Sequence, residues 1–163
     1  MGLPKQVLVR RINNELGQCS EYLEADLPAI PEDARFPLEI RIDLVNHPAY
    51  VSEDRMSRKH ACRLIISEEY PFRKPEARWI TPIFHPNIMM PEDGGYVCLR
   101  TLDDWSFGSS MLAFVKSLEH LIGDPRPKNP FGTESCLAAS RFFSDNPLGM
   151  EMSVSYGGRR CPR

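Results

Sequence analysis

Apolar residues recur at helical spacing in three parts of the chain. Between residues 3 and 16, and again between 111 and 122, they fall at steps of one, three and four positions, which predicts two amphipathic helices. Ser109 or Ser110 stands where the N-cap of the second helix is expected. Residues 133–146 carry a similar pattern before a proline and predict a third helix.

Elsewhere apolar and polar residues alternate, which predicts half-buried antiparallel strands. The predicted strands cover residues 23–27, 38–44, 62–66 and 77–81, and a polar stretch from 52 to 59 separates the second from the third. Prolines and glycines between residues 82 and 95 predict a long irregular loop, a common place for functional residues. The chain is therefore predicted to be an α+β protein with an N-terminal helix, a four-stranded antiparallel meander sheet, a long loop and two or more C-terminal helices.

The length of 163 residues fits one domain, which we expect over residues 1–148, with a C-terminal tail at 149–163. A formal net charge of −2 provides no positive field for nucleic acid or anionic lipid, so we expect neither nucleic acid nor membrane as a partner. The N-terminus lacks the pattern of a secretory signal. The five cysteines include no CxxC pair, so we expect no metal site, no cofactor and a reducing, cytoplasmic location.

Four short segments together resemble the catalytic core of ubiquitin-conjugating enzymes, over roughly residues 7–145. They are Tyr70-Pro71-Phe72, the segment from Thr81 to Ile88, Gly95-Tyr96-Val97-Cys98-Leu99 and Trp105-Ser106. The most specific feature is His85-Pro86-Asn87, within the second segment, followed about a dozen positions later by the third.

The resemblance implies a catalytic role for Cys98. This residue would accept the C-terminal carboxylate of ubiquitin or a ubiquitin-like modifier from an activating enzyme as a thioester, and pass it to a lysine of a substrate protein. Asn87 would assist the oxyanion or brace the active-site loop, and an ordinary turn role after proline stays open. For His85 a buried, loop-bracing role is favoured over general-base catalysis.

Two departures from the family pattern concern the acceptor lysine. The segment between Asn87 and Cys98 is a few residues longer than usual, and Asn129 stands where many members of the family carry an aspartate. That aspartate is credited with orienting the incoming amine, a role for which Asn129 offers no charge. Asp103 or Asp104 could compensate, and Asp104 is our candidate for that role.

The resemblance also places two recognition surfaces. A platform for RING-type ligases is expected from three residues, namely Phe72, Phe107 and Gly108, although Phe107 replaces the usual proline. A basic face of the first helix is expected to contact the activating enzyme through Lys5, Arg10 and Arg11. A merely solvated helix face is the alternative for these charges.

Three other functions are open on the sequence. A non-catalytic relative that binds modifier or ligase would typically lack the cysteine that this chain has. A cysteine hydrolase could pair Cys98 with His120 or His85, but the local signature of such enzymes is missing. Gly157-Gly158 is similar to the diglycine of a modifier precursor, an interpretation that the helix-first pattern opposes.

Overall fold

The computed structural model describes residues 2–146, so the predicted tail, Gly157-Gly158 and Cys161 lie outside the described residues. Its elements, in chain order, are α1 Lys5–Gln18, β1 Leu38–Ser52, β2 Arg55–Ile66, β3 Glu76–Trp79, α2 Arg100–Asp103, α3 Met111–Gly123 and α4 Glu134–Asp145. Short 3-10 turns lie at Ser20–Tyr22 and Pro91–Asp93. Over residues 2–146, none of the helices combines the length and apolar character of a membrane span.

The three strands form one antiparallel sheet in the order β1-β2-β3, and one of its faces builds the core. Cys62 at the centre pairs with Ile42 on one side and Trp79 on the other, and all three side chains are buried. Alternation of side chains across a strand brings Ile40, Ile42 and their paired residues onto this face. Helix α3 packs on β1, α1 packs on α3, and residues of both helices share one buried core with the sheet, so the α+β class is confirmed.

The first predicted strand, residues 23–27, is wrong. Asp26 has a φ of 69°, a left-handed conformation that interrupts extended backbone, and the amide of Leu27 donates to Glu24 O in a turn. Leu27 is exposed rather than buried. The Asn13 side chain then fixes the segment to α1 through two hydrogen bonds to the backbone of Ile30, at 2.8 and 3.0 Å. Among the described residues the sheet thus has three strands, where four were predicted.

The polar stretch at 52–59 is also different from the prediction. Only Glu53 and Asp54 form a turn, because β1 runs to Ser52 and β2 begins at Arg55, and the two strands pair in a long hairpin. Polar side chains are compatible with a strand there because both faces meet solvent over most of this stretch. The hairpin ends of β1 and β2 therefore could not be recognised from an alternating pattern.

Glu15 is a buried carboxylate that joins α1 to α3. Its Oε2 accepts a 2.6 Å hydrogen bond from the Tyr70 hydroxyl, and its Oε1 accepts from the amide of Met111 at 3.3 Å, the first residue of α3. A carboxylate at a helix N-terminus compensates unpaired amides and the positive end of the helix dipole. Burial, and then the neighbouring Glu15, raise the pKa of Tyr70 far above its usual range. Glu15 was not among the predicted functional or core residues, although a charged residue on the apolar stripe of α1 is a usable signal of a buried carboxylate.

A second, smaller cluster holds α4 in place. Phe143 and Ala139 of α4 are buried in a cluster with Phe84, which precedes His85. Tyr50 packs edge-on against the rings of Phe142 and Phe143. The Oγ of Thr133 caps the helix by accepting from the amide of Cys136. Helix α4 therefore packs directly on the start of the predicted active-site loop.

Candidate active site

His85 is buried beneath the active-site loop, with 1% of its surface exposed. Its Nε2 donates to Leu121 O at 2.8 Å, and its Nδ1 accepts from the amide of Asn87 at 2.9 Å. Burial lowers the pKa of His85 to about 4, so the ring is neutral at neutral pH. Both nitrogens are thus used to connect the loop to α3, which is the geometry of a brace and leaves no lone pair for Cys98.

Asn87 joins the two backbone segments that flank the predicted catalytic cysteine. Its side-chain Nδ2 donates to Lys128 O at 3.3 Å and to Asn129 O at 3.1 Å, and its own carbonyl accepts from the amide of Cys98 at 2.9 Å. Only 6% of its surface is exposed. Because an amide NH2 has two donors and both are directed at these carbonyls, the geometry is that of a loop brace.

The longer segment before Cys98 is accommodated by two consecutive left-handed glycines after the turn at Pro91–Asp93. Gly94 has a φ of 110° and Gly95 a φ of 66°. Gly95 lies so close to β3 that a Cβ would come within 2.6 Å of Trp79 O, and its carbonyl accepts from the Trp79 amide at 2.7 Å. The Arg78 guanidinium lies over the Tyr96 ring at 3.6 Å. Residues 91–96 therefore form an ordered loop that is attached to β3 and leads directly to Cys98.

Cys98 differs from the other described cysteines in its exposure. Cys98 is partly exposed, whereas Cys19, Cys62 and Cys136 are buried. Burial raises the pKa of the Cys19 thiol to about 11 and that of Cys62 to about 12, and it also raises the pKa of Cys136. Because the thiolate is the nucleophile, these three thiols are poor candidates.

The segment after Cys98 forms α2 and then an exposed loop. Asp103 and Asp104 are both exposed, and Asp103 Oδ1 lies 3.7 Å from the Nζ of Lys74. Asn129 is exposed and has a φ of 49°, a left-handed conformation that asparagine tolerates better than most residues. Asn87 links the backbones of Asn129 and Cys98 through its hydrogen bonds, and Asp104 directly follows the last residue of α2.

The two predicted recognition surfaces meet at Arg11. Phe72 and Phe107 are 56% and 51% exposed, and their ring centroids lie 5.3 Å apart. Arg11 stacks over the Phe107 ring at 4.7 Å and donates to Phe107 O at 2.8 Å. The remaining predicted residues of these surfaces are exposed as well: Lys5, Arg10 and Gly108. Arg11 thus fixes the loop that carries Phe107 to α1.

Metal ligands are not gathered anywhere in residues 2–146: no group of three or more histidine, cysteine, aspartate or glutamate side chains there could hold an ion. His120, the other histidine considered beside Cys98, is exposed on α3.

Comparison with known proteins agrees with this architecture. The family model for ubiquitin-conjugating enzyme matches residues 12–142. "Ubiquitin-conjugating enzyme E2 3" of Arabidopsis thaliana is 36% identical over 84 residues, 51% of each chain. Human "Ubiquitin-conjugating enzyme E2 T" is 35% identical over 72 residues, 41% of this chain and 35% of its own. The aligned part therefore spans between about a third and a half of such curated relatives.

Solved structures show the same fold at lower identity. A ubiquitin-conjugating enzyme E2 domain from Toxoplasma gondii superposes with a TM-score of 0.62 at 20% identity, covering 90% of this chain and 94% of that one. S. cerevisiae Ubc12 gives 0.59 at 22%, covering 92% and 80%. With the match of the family model over residues 12–142, these findings establish that the chain belongs to the ubiquitin-conjugating enzyme family.

Proposed function

We propose that this chain accepts ubiquitin or a ubiquitin-like modifier on Cys98 as a thioester and transfers it to a lysine of a substrate protein. In the first step the Cys98 sulfur attacks the modifier's carbonyl carbon, and the activating enzyme's thiolate leaves. In the second step a lysine nitrogen attacks the same carbon, the carbon–sulfur bond breaks, and the amine proton passes to solvent. The reaction is an acyl transfer and needs no cofactor.

The observation that carries the proposal is the exposure of Cys98 at the end of a braced loop. Its sulfur is reachable while its backbone amide is held by Asn87 O, so the nucleophile is both accessible and fixed in position. Precise placement of reacting atoms lowers the entropic part of the barrier. Burial of the other described thiols supports the same assignment.

For Asn87 the contacts support bracing over donation to an oxyanion. Its amide protons are used by the carbonyls of Lys128 and Asn129, so it would need to break these bonds to reach the reacting carbonyl. In this role Asn87 is a positioning residue that holds the 128–129 loop beside the thioester. His85 supports it from below by accepting its backbone N–H.

The residue at position 129 affects how the acceptor lysine is oriented and how its amine loses a proton. Without a carboxylate at this position, the incoming amine has no negative charge there to favour its productive orientation or its loss of a proton. We propose that discharge depends on solution pH, or on Asp104, more strongly than in relatives with an aspartate at position 129.

Partners follow from the two exposed surfaces. Lys5, Arg10 and Arg11 on α1 offer positive charge to the activating enzyme, and Phe72 with Phe107 and Gly108 offers an aromatic patch to a RING-type ligase. Exposed aromatic side chains are common anchors of interfaces. We propose a cytoplasmic site of action, where thiols stay reduced.

The test is to incubate the protein with ubiquitin-activating enzyme, ATP and ubiquitin, and to analyse it on non-reducing and reducing gels. We expect a conjugate of one ubiquitin that thiol reagents remove, and its loss in Cys98→Ala. Cys19→Ala, which removes a buried thiol, is the matched control and should load normally. A thiol-sensitive conjugate in Cys98→Ala would contradict the proposal. Binding of ubiquitin without any conjugate, with ubiquitin-like modifiers also tried, would indicate a non-catalytic relative.

A further inference from the structure

A groove of about 370 Å³ lies between the C-terminal half of α1 and the segment at residues 23–29, and we refer to it as the 23–29 groove. Apolar side chains line it from both sides: Leu16 of α1 is buried, and Leu27 is 41% exposed. The other apolar lining residues are Leu23, Ala25, Pro28 and Ala29. Ligand pockets of proteins commonly measure about 300–1,000 Å³, so the groove has room for a side chain of a partner.

Hydrogen bonds hold both walls of the 23–29 groove in place. Asn13, which lines the groove from α1, bonds to the backbone of Ile30 at 2.8 and 3.0 Å. Within the segment, the amide of Leu27 donates to Glu24 O at 3.3 Å. A site that is formed before binding loses less conformational entropy when a partner docks. The groove is therefore ready to accept a ligand without rearrangement.

The charge around the groove has one sign. From Ile12 to Ala34 the chain carries six acidic residues and no lysine, arginine or histidine. Glu15 is buried, and the other five carboxylates are exposed: Glu21, Glu24, Asp26, Glu32 and Asp33. Glu24 and Asp26 line the groove, and neither forms a salt bridge within the part of the chain that the structure describes.

The apolar walls and the two carboxylates together define the chemistry of an occupant. Burial of an apolar side chain supplies binding energy, and opposite charges beside it supply selectivity and speed association. Lys116 contacts Glu21 at 3.8 Å but does not line the groove, so this cation leaves Glu24 and Asp26 to an incoming partner. Both carboxylates repel an anionic segment. A segment with an apolar residue between basic residues is complementary to the groove.

We propose that the 23–29 groove binds a basic peptide segment of a partner protein, with one leucine-sized side chain held against Leu16 and Leu27. Lysine or arginine residues on either side of that anchor face Glu24 and Asp26. None of the residues that line the groove belongs to the candidate active site or to either predicted recognition surface. The groove is therefore a further interaction surface, and binding to it requires no modifier on Cys98.

The experiment measures, by fluorescence anisotropy, how the full chain binds a short labelled peptide in which one leucine is flanked on each side by two arginines. We expect a Kd below about 1 mM at about 0.15 M salt, where distant charges are largely screened. The double variant Glu24→Gln with Asp26→Asn should weaken binding by about tenfold or more. Asparagine suits position 26 because the backbone there has a φ of 69°. The matched control, Glu32→Gln with Asp33→Asn, removes the same charge from outside the groove lining and should change the Kd by less than about twofold.

Two further variants test the apolar part of the groove. Leu27→Ser removes an exposed leucine, so it should weaken binding by about tenfold with little effect on folding. Gly17→Leu places a side chain in the groove, since a Cβ at Gly17 meets no heavy atom within 4 Å. Because leucine also favours a helix more than glycine does, this variant should stay folded in urea unfolding while binding of the peptide is lost.

Binding that persists in Gly17→Leu, or in the double variant at Glu24 and Asp26, would overturn the inference. Absence of binding at about 1 mM peptide would overturn it as well. Equal binding of a peptide with serine in place of the leucine would show attraction by charge alone, and this result also contradicts docking in the groove.

Two other results would assign the groove to a different occupant and so overturn the proposal. Self-association of the unmutated protein that Leu27→Ser abolishes, measured by sedimentation, would assign it to a second copy of the chain. Tighter peptide binding after replacement of Arg159, Arg160 and Arg163 by serine would assign it to the chain's own C-terminal segment. The assay needs no activating enzyme, so its result is independent of the proposed function.

Discussion

The segments before and after Cys98 are built in opposite ways. In residues 84–88 the polar side chains of His85 and Asn87 are buried, and each of their hydrogen bonds ends on backbone of the same loop, of α3 or of the 128–129 loop. After α2, the side chains of Asp104 and Phe107 are exposed. The first segment fixes the position of the loop that leads to Cys98, and the second exposes a carboxylate and an aromatic side chain to solvent and partners.

This difference separates two kinds of effect. Changes before Cys98 should alter stability and the position of the thiol together, because buried polar groups that lose a partner keep their desolvation cost. Changes after Cys98 should alter transfer or partner binding with little effect on folding, as is usual for exposed positions.

The largest expected effect is on stability at low pH. Folding holds the pKa of His85 at about 4, below the unfolded value of 6.5, so the unfolded chain binds more protons between these pH values. The contribution is complete above pH 6.5 and is lost as the pH falls towards 4, in total on the order of 3 kcal/mol. Buried His60, whose pKa is also lowered by desolvation, acts in the same direction.

The pH-dependent contribution of His85 to the free energy of unfolding is measured by urea unfolding of His85→Gln at several pH values between about 7 and 4. We expect the variant to be less stable at pH 7 and to lose stability less steeply with acid than the unmutated protein. His120→Gln, which changes an exposed histidine of α3, should keep the original slope. An unchanged slope in His85→Gln would show that His85 does not cause the acid sensitivity.

Next in size is the effect of Asn87→Ala on transfer. We expect loading to persist and single-turnover discharge onto free lysine to fall by about 10²-fold, since the 128–129 loop loses its brace. Hydrogen exchange separates bracing from oxyanion donation: if Asn87 braces, the Phe131 amide, which donates to Pro86 O, should exchange faster in the variant. Unchanged exchange with slow discharge would favour the oxyanion role.

A smaller effect is expected from charges near the incoming amine. Asn129→Asp should speed discharge onto free lysine at pH 7, and Asp104→Asn should slow it with loading intact, each by up to about 10²-fold. Discharge of preloaded enzyme between about pH 6.5 and 9 is the measurement, since an amine acceptor must lose its proton in this range or with help. If neither substitution changes the rate or its pH profile, the amine arrives without help from either position.

The smallest effect on stability is expected at the exposed aromatic patch. Phe107→Ala removes the stacking partner of Arg11 and should cost about 1 kcal/mol or less, yet it should abolish stimulation of discharge by a RING-type ligase. Val45→Ala, at an exposed position on β1, is the control and should keep the stimulation. Undiminished stimulation in Phe107→Ala would exclude this patch as the ligase platform.

Much of the fold follows from the sequence because its elements bury one face. Helix α3 begins after Ser110, one of the two predicted N-caps, and α4 lies within the predicted range 133–146. The alternation at Ile40 and Ile42 identifies β1. The prediction is wrong around Asp26, where apolar and polar residues alternate but the segment does not pair with the sheet. The hydrogen bonds between Asn13 and Ile30 that fix the path of this segment join residues that are 17 positions apart, so the local pattern could not show them.

For the site, the sequence identifies candidate residues but not their contacts. The motif identifies His85 and Asn87 but does not decide between a bracing and a catalytic role for either residue. Only the tertiary structure shows that His85 donates to Leu121 O and that Asn87 donates to the 128–129 backbone. The partners of Glu15, Tyr70 and Met111, could not be predicted because they lie in distant segments of the chain.

The most direct test of the central claim is to identify the atom that carries the modifier. Cys98→Ser, incubated with activating enzyme, ATP and ubiquitin, should form a conjugate that survives thiol reagents, because oxygen esters resist aminolysis better than thioesters. Tandem mass spectrometry of the trapped product should locate the ester on position 98 and nowhere else. An ester or thioester mapped to Cys19, Cys62, Cys136 or Cys161 would contradict the account.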